Sequence, residues 1–355
     1  MKKILIAGAG GAPSEGVIYS LLRSQKGERV LGMGSEPTDL VLSQASKKFH
    51  IPYANSTSYK KYLLKLLCSE RPDLVHFQND LEIFHASLIR NDILATGVRL
   101  YMPDHEVIDK CVHKYKTYLA FRDAGLIVPR NLMINNEDDL REAFSTLSDD
   151  TGKIWLRASS IGGGGKGSIP TNDYSLAKAW IDHYQGWGDF VAAEMLTSNT
   201  VTWLSIWYEG DLVVAQSRER CGWTHGNRSI SGVTGVTKVG KTCDNSLVSQ
   251  VAMDSVKAVS SRPHGIFGVD MAYDKNNVPN PTEINISRFF TTVRFFTQAG
   301  LNMPEIFKDI ALYREFPQLE RKINPLPQDL LWLRGMDVAP RLMTSKEINS
   351  EVIFL

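Results

Sequence analysis

The chain has 355 residues, of which 43% are hydrophobic and 22% are charged. This composition predicts a globular protein of two or three domains with a sizeable core, and it argues against disordered and fibrous classes. The formal net charge is +1 and the basic residues are spread along the chain, so neither a nucleic acid nor an anionic membrane is predicted as a partner.

The cysteines and the N-terminal segment indicate a soluble cytoplasmic protein. The four cysteines form no CxxC pair, so neither a zinc site nor a disulfide framework is predicted. The start, "MKKILIAGAGGA", imitates a signal peptide, but glycines interrupt its apolar run after Ala7, and we interpret it as a first strand. No stretch approaches the roughly 20 apolar residues that would span a bilayer.

The first third of the chain alternates predicted strands and helices. "KKILIAGAGGAPSEGVIYSLLRSQ" predicts a buried strand, a glycine-rich turn and an amphipathic helix, and "RVLGMGSE" predicts a second strand. A helix near 58–68, a strand at "DLVHFQ", a helix after Asp80 and a strand near "RLYMP" continue the pattern. This alternation indicates a doubly wound parallel domain that ends near Ile108.

The remainder predicts an α+β arrangement with mainly antiparallel strands. Helices are expected at 113–124, 137–147, 175–184 and 247–260 and after Met303. Strands are expected at "KIWLRA", at "DFVAAEMLT", and at "TVTWLSIWYEGDLVVAQSRER" with a turn at Glu209 and Gly210. The hairpin "GIFGVDMAYDKNNVPNPTEIN" follows, and the tail from about Tyr313 shows no clear pattern.

The hairpin brings three oxygen-bearing side chains onto one face. With a loop centred at 276–277, Asp270 stands opposite Glu283, and Asn285 lies on the same face two residues further on. Two like charges in this position destabilise a sheet unless a cation lies between them, and such a set of oxygens is what Mg²⁺ prefers. The pattern predicts a metal site. The alternative is a solvent-facing hairpin whose register is shifted by its two prolines.

A glycine run and two basic positions form the second signal. "RASSIGGGGKGS" holds Gly162, Gly163, Gly164, Gly165 and Lys166, which would let backbone N–H groups and a cation approach phosphate oxygens. It is not a Walker pattern, and the alternative is a flexible surface loop. Arg157 at the end of the preceding strand favours phosphate binding. Lys114 lies in the first turn of the helix at 113–124, where a solvated helix face is the alternative.

These pieces in this order resemble the ATP-grasp superfamily, and more closely its branch that looks like one ATP-binding unit of the carbamoyl-phosphate synthase large chain. The resemblance extends from Lys2 to about Leu312. It implies phosphate contacts, a lid, an adenine-binding hinge, magnesium ligands and phosphoryl-stabilising arginines. The positions that match are Lys114 and Arg157 for phosphate, Gly162 to Gly167 for the lid, Glu194 and Leu196 for the hinge, Asp270, Glu283 and Asn285 for metal, and Arg288 and Arg294 for catalysis.

The resemblance implies a Rossmann-like pre-ATP-grasp domain at 1–108 followed by a two-lobed α+β ATP-grasp domain at 109–312. The small lobe would span about 109–190 and the large lobe about 191–312, with a C-terminal segment at 313–355. The implied activity is that of an ADP-forming ligase, which uses ATP and Mg²⁺, or Mn²⁺ in its place, to join a small-molecule carboxylate to an amine or similar nucleophile. Homodimers are common in the family.

Several positions depart from the family pattern. His113 stands where the family has Asp or Ser, Ala158 replaces a proline, and the usual glutamate near 199–201 is missing. After Asn285 the expected Pro-Arg is replaced, so that the arginine is displaced by one residue to Arg288. These departures motivate an alternative, an ATP-binding regulatory protein that has lost turnover.

Three further segments carry weaker signals. "GAGGAPSEG" imitates a dinucleotide-binding turn, but Pro13 stands at its third glycine, which argues against an NAD-dependent dehydrogenase. "QNDLE", with Asp80 and Glu82, resembles a family segment that faces the central site, and a helix N-cap is the alternative. In the segment 217–239, Arg218 or Arg220 is expected to face an anionic substrate.

Overall fold

The first hundred residues alternate strands and helices, as predicted. In the computed structural model, which describes residues 1–160, 167–224, 226, 236–335 and 339–351, these elements are β1 (Lys3–Ala7), α1 (Ala12–Leu21), β2 (Arg29–Gly34), α2 (Pro37–Leu42), β3 (Lys47–His50), α3 (Tyr59–Glu70), β4 (Leu74–His76), α4 (Asp80–Leu88), α5 (Arg90–Ala95) and β5 (Arg99–Leu100). The strands form a parallel sheet in the order β3-β2-β1-β4-β5. Leu5 and Ala7 face one core and Ile4 and Ile6 another, so both faces of the sheet are covered.

A small antiparallel lobe follows. Helices α6 (His105–Val112) and α7 (Lys114–Asp123) lead into it and pack on a core that includes the first sheet and the large lobe. The elements of the lobe itself are β6 (Asn131–Ile134), α8 (Glu137–Leu147), β7 (Ile154–Ala158), β8 (Ile169–Thr171), α9 (Tyr174–His183) and β9 (Phe190–Ala193). The sheet order is β6-β9-β7-β8, and α8 and α9 close a separate core against it. Helix α8 has the predicted bounds because the side chain of Asn136 caps it, accepting from the N–H groups of Asp138 and Asp139.

The large lobe is a seven-stranded antiparallel sheet with helices packed on it. Its elements are β10 (Thr200–Tyr208), β11 (Asp211–Trp223), β12 (Thr237–Cys243), α10 (Ser246–Val259), β13 (Gly265–Tyr273), β14 (Pro279–Ile286), α11 (Val293–Gln298), α12 (Met303–Tyr313), β15 (Leu330–Leu333), β16 (Arg341–Thr344) and α13 (Ser345–Glu351). The order is β14-β13-β10-β11-β12-β15-β16. Strands β15 and β16 come from the tail in which no pattern was recognised, and they extend the sheet beyond β12.

Two hairpins of this sheet, β10–β11 and β13–β14, show how local backbone features set the register. Glu209 and Gly210, the predicted turn, both have positive φ, which a tight two-residue hairpin requires. In the second hairpin, Met271 pairs with Pro281 but Asp270 pairs with Glu283, so a bulge at Thr282 shifts the register by one residue. The predicted pairing of Asp270 with Glu283 is confirmed. Without the bulge, Glu283 would point to the other face.

The N-terminal domain and the large lobe share a hydrophobic core. Ile18 of α1 belongs to the same cluster as Phe295 of α11 and Phe307 of α12. The Ser20 and Thr297 hydroxyl groups lie 2.7 Å apart across this contact. A second shared cluster contains Ile83 of α4 and Ile286 of β14, so the start of α4 lies near the end of β14. Within the described ranges, no helix has the length and apolarity needed to cross a membrane.

Candidate active site

A cavity of about 460 Å³ lies between the two lobes and the N-terminal domain. Its wall includes the predicted residues Lys114, Arg157, Glu194, Leu196, Asp270, Glu283, Asn285 and Arg288. Tertiary structure therefore brings together residues that are up to 174 positions apart, as the order of motifs predicts. The predicted lid residues Gly162, Gly163, Gly164, Gly165 and Lys166 lie outside the described residues, and Ser168 just after them lines the cavity.

Four polar side chains form one row across the large sheet. Glu283 of β14 is paired with Asp270 of β13, Asp270 with Thr202 of β10, and Thr202 with Arg218 of β11. Cross-strand neighbours in such a row lie on one face and can contact each other. Arg220 lies on the same face of β11 two residues after Arg218, so the floor of the site has two carboxylates on β14 and β13 and two guanidinium groups on β11.

Asp270 is the centre of this row. Its Oδ1 accepts from Thr202 Oγ1 at 2.6 Å and from Arg220 Nη2 at 2.8 Å. Its Oδ2 accepts from Arg220 Nη2 at 2.8 Å and from Asn285 Nδ2 at 3.1 Å. Burial acts to raise the pKa of Asp270, but Arg220 and the hydrogen bond from Thr202 outweigh it and keep the pKa below its usual value. Asp270 is therefore a buried, ionised carboxylate that is fully hydrogen-bonded.

Glu283 and Asn285 keep acceptor capacity on the cavity wall, Glu283 with its whole carboxylate and Asn285 with the lone pair of Oδ1 that Arg288 does not use. The only charged partner of Glu283 in the described chain is Lys114, whose Nζ lies 3.8 Å from Oε2. Asn285 donates to Asp270 and accepts at Oδ1 from Arg288, which fixes the orientation of its amide. No cluster of three His, Cys, Asp or Glu side chains able to bind a metal occurs among the described residues. One carboxylate and one amide oxygen do fit Mg²⁺ that is also bound by phosphate oxygens.

Lys114 and Arg157 are fixed close to each other by backbone contacts. The N–H of Lys114 donates to Ser159 O at 3.1 Å, which ties the start of α7 to the end of β7. Arg157 Nη2 donates to Thr282 O, the carbonyl of the bulge residue, at 3.4 Å, and its buried Nε has no partner. Burial lowers the pKa of Arg157, and Glu283 partly offsets this. An unpaired cation beside an open lysine is suited to bind an anion.

The hinge between β9 and β10 connects the two lobes. The carboxylate of Glu194 is bonded to Arg130. Its Oε1 accepts from Arg130 Nε at 2.7 Å, and its Oε2 accepts from the N–H of Arg130 at 2.8 Å. Within the described residues, the N–H of Leu196 forms no hydrogen bond. Leu196 lines the cavity together with Met195 and Trp155, so a hinge residue whose N–H has no partner in the described chain lies in the cavity wall.

The two predicted catalytic arginines have different surroundings. Arg288 lines the cavity, and its Nε and Nη2 donate to Asp80 Oδ1 at 2.7 Å and Oδ2 at 3.2 Å. Ser287 before it has φ 56°, a left-handed conformation that accommodates the displaced arginine. Arg294 lies outside the cavity wall, with its guanidinium carbon 3.9 Å from the centre of the Tyr19 ring. The structure brings Arg288, and not Arg294, to the other site residues.

The segment with Asp80 was predicted either to face the central site or to cap a helix, and it does both. Asn79 caps helix α4, and Asp80 lines the cavity. Asn79 Oδ1 accepts from the N–H of Glu82 at 2.8 Å, while Asp80 reaches across to Arg288. Since the two partners are 208 positions apart, this bond joins the N-terminal domain directly to the site.

Arg218 is a buried cation with no carboxylate partner in the described chain. It is 1% exposed, and its guanidinium donates to the hydroxyl groups of Thr202, Thr237 and Thr292 at 2.8 to 3.1 Å. Burial, reinforced by repulsion from Arg220, lowers the pKa of Arg218 to about 9. Its position in the cavity wall agrees with the predicted substrate-facing role. No local pattern in the sequence indicates its hydrogen bonds to the three threonines. Arg228 of the same segment lies outside the described residues.

The glycine turn after β1 is occupied by a carboxylate of the chain itself. Glu15 Oε1 accepts from the N–H of Gly10 at 2.9 Å, and Oε2 accepts from the N–H of Gln44 at 3.0 Å. A Cβ at Gly10, where φ is 94°, would lie 1.9 Å from Asp39 O. Gly10 thus allows α2 to pack closely, and Glu15 lies where a dinucleotide phosphate would bind, which disfavours NAD.

Comparisons with known proteins give the fold. Neither a family model nor a curated protein matches the sequence. A carboxyaminoimidazole ribonucleotide synthase from Aspergillus clavatus, complexed with ATP, is 13% identical with a TM-score of 0.69, covering 94% of this chain and 81% of that one. An L-amino acid ligase from Bacillus licheniformis is 13% identical with a TM-score of 0.67, covering 94% and 79%. A biotin carboxylase from Campylobacter jejuni is 15% identical with a TM-score of 0.70, covering 94% and 75%. The chain has the ATP-grasp fold that these ligases share.

Proposed function

We propose that the chain is an ADP-forming ligase that activates a small-molecule carboxylate with Mg-ATP and joins it to an amine or similar nucleophile. One observation carries the proposal. In a single cavity, the carboxylates of Asp80, Glu283 and Asp270 have cationic partners, while Arg157 and Arg218 have no carboxylate partner among the described residues. Arg157 is half-buried and bonds to Thr282 beside the Glu283 end of the row, whereas Arg218 is buried at the other end, and two such cations indicate two anionic ligands. A nucleotide and a carboxylate substrate meet that requirement.

ATP would lie between the lobes. The free N–H of Leu196 would donate to the Watson–Crick edge of adenine, and the apolar wall beside it would cover the ring. Lys114 and Arg157 would bind the phosphates, because both are cations fixed at the same end of the cavity. The loop with Gly162 to Gly165 and Lys166 would close over them from the end of β7.

Glu283 and Asn285 would hold the metal, and Asp270 would keep Asn285 in place through its 3.1 Å bond. Mg²⁺, or Mn²⁺ in its place, would neutralise phosphate charge when it is bound. Lys114 lies 3.8 Å from Glu283 and would bring a phosphate oxygen to the same point. Arg288 would donate to the transferred phosphoryl group while Asp80 holds its guanidinium in place. The role of Arg294 stays a prediction.

The proposed reaction has two steps. A carboxylate oxygen of the substrate attacks the γ-phosphorus of ATP, and ADP leaves with the electrons of the broken P–O bond. The nucleophile then attacks the carbonyl carbon of the acyl-phosphate and loses a proton, and phosphate leaves. Arg218 and Arg220 would bind the carboxylate substrate on the floor of the site, with Arg288 near the charge that develops. A homodimer and a cytoplasmic location stay predictions, the first to be checked by light scattering of the purified protein.

The test is ADP release from Mg-ATP in the presence of pooled carboxylic acids crossed with pooled amines. Glu283→Gln is the test variant, and Glu219→Gln is the matched control, because Glu219 pairs with Lys241 at 3.1 Å outside the cavity. We expect one pair of pools to stimulate wild type and the control but not Glu283→Gln. Stimulation of Glu283→Gln equal to that of wild type would refute the assigned role of this residue.

A second candidate is an ATP-binding regulatory protein without turnover. It is favoured by the complete hydrogen bonding of Asp270 and by the displacement of Arg288, which both depart from the pattern of a metal-loaded site. Magnesium-dependent ATP binding with no ADP release in any pool would support this candidate over the ligase.

A further inference from the structure

Asp270 has no lone pair left for a metal. An ionised carboxylate offers about four acceptor positions, and in Asp270 they receive Thr202, Arg220 twice, and Asn285, at distances of 2.6 to 3.1 Å. The residue is 8% exposed, so water does not compete for these positions. A divalent cation could bind here only if Arg220 moved away.

Arg220 is held in place on both sides. Its guanidinium carbon lies 4.8 Å from the centre of the Trp223 ring, and its Nη2 bonds to both oxygens of Asp270. Arg218 lies two residues away on the same face of β11 and has no carboxylate partner of its own in the described chain. Displacing Arg220 by a metal would leave two guanidinium groups and a divalent cation around one carboxylate. Repulsion among these charges opposes the displacement.

Glu283 and Asn285 keep free acceptor positions, in contrast to Asp270. The Asn285 Oδ1 atom accepts one hydrogen bond from Arg288 and keeps its second lone pair. No hydrogen bond to the Glu283 carboxylate is found within the described chain, and its side chain is 32% exposed. Asn285 presents Oδ1 on the side that Arg288 approaches, because its amide nitrogen donates to Asp270. Together they provide the one or two protein ligands with which Mg²⁺ is commonly held beside nucleotide phosphates.

We infer that this site takes one divalent cation, on Glu283 and Asn285, and that the Arg220 guanidinium is a built-in cation that replaces a second metal at Asp270. The inference rests on the proposed function in that the metal is bound with ATP. It assigns Arg220 a fixed positive charge beside the reacting phosphates. It also implies that free Mg²⁺ beyond the amount needed to form Mg-ATP does not activate the protein further.

The probe is Mn²⁺ with the imido analogue of ATP. After removal of unbound ions, we expect one Mn²⁺ per wild-type chain and an uncoupled six-line electron paramagnetic resonance spectrum. Two Mn²⁺ ions at the roughly 3.5–4 Å spacing of two-metal sites would be magnetically coupled. Two coupled ions in wild type would overturn the inference. Asp270→Asn, which keeps an oxygen that can accept from Asn285, should lose less Mn²⁺ affinity than Glu283→Gln, which should lose about tenfold or more. Equal losses in both variants would also overturn it.

Arg220 is tested by two variants. Arg220→Met frees Asp270 and should allow a second, coupled Mn²⁺ to bind, whereas Arg220→Lys should keep the count at one. If Arg220→Met does not fold, the wild-type count and the comparison of Asp270→Asn with Glu283→Gln still decide. Displacement of a fluorescent ATP analogue is measured in parallel. Two ions with tight nucleotide binding would refute the inference and keep the proposed function. One Mn²⁺ that depends on Glu283, with the nucleotide bound but no ADP release from ATP in any pool, would refute the proposed function and keep the inference.

Discussion

Replacing Arg220 with methionine is expected to lower the free energy of unfolding by about 3 kcal/mol at pH 7. Methionine preserves much of the side-chain length but removes both 2.8 Å bonds to Asp270, which is 8% exposed. Removing one partner of a buried ion pair costs about 3–5 kcal/mol, because the other charge stays buried without compensation. Since Thr202 and Asn285 still donate to Asp270, the cost should lie at the lower end of that range.

The assay is urea unfolding followed by circular dichroism at pH 7 and pH 4. In wild type the pKa of Asp270 lies below its usual value of 3.8, so the stability that the ion pair contributes is still present at pH 4. In Arg220→Met, burial without the cation favours protonation of Asp270, which relieves the unpaired charge at pH 4, so the difference between wild type and Arg220→Met should shrink there. Arg218→Met is the matched control, because it removes a buried guanidinium without breaking an ion pair.

The decisive comparison is the double variant Arg220→Met with Asp270→Asn. If the charge pair is the cause, Arg220→Met should cost far less in the Asp270→Asn background than in wild type. A cost of Arg220→Met below about 1 kcal/mol, or an equal cost in both backgrounds, would refute the reasoning.

Three further predictions address other parts of the chain. Burial raises the pKa of Glu82 to about 7, so the free energy of unfolding of wild type falls as the pH rises from 4.5 to about 7. In Glu82→Gln this fall, up to ~3 kcal/mol between pH 4 and pH 8 in urea unfolding, should be absent. Gly10→Ala should lower the melting temperature, because the new Cβ would lie 1.9 Å from Asp39 O. Lys114→Ala should weaken Mg-ATP binding about tenfold or more in calorimetry, whereas Lys116→Ala, on a 51% exposed side chain, should not.

Local chemistry in the sequence determined most of the elements. The alternation of strands and helices in the first hundred residues follows from period and turn residues, and α8 has its predicted bounds because Asn136 caps it. The Glu209 and Gly210 turn was also predictable from residues close in the chain, whereas the predicted pairing of Asp270 with Glu283 depends on a bulge at Thr282 that the sequence pattern did not indicate. The motifs with Lys114, Arg157 and Asn285 were recognisable as an ordered series.

Only the tertiary structure decided how the charges pair. Arg220 and Asp270 are 50 positions apart, and they meet because β11 and β13 flank β10 in one sheet. Asp80 and Arg288 meet because two domains share a core, and Arg294 packs on Tyr19 for the same reason. Such contacts depend on how strands are ordered and helices are docked, which no local periodicity encodes. The sequence therefore determined which polar residues the site contains, and long-range packing decided which carboxylate is left open for a metal.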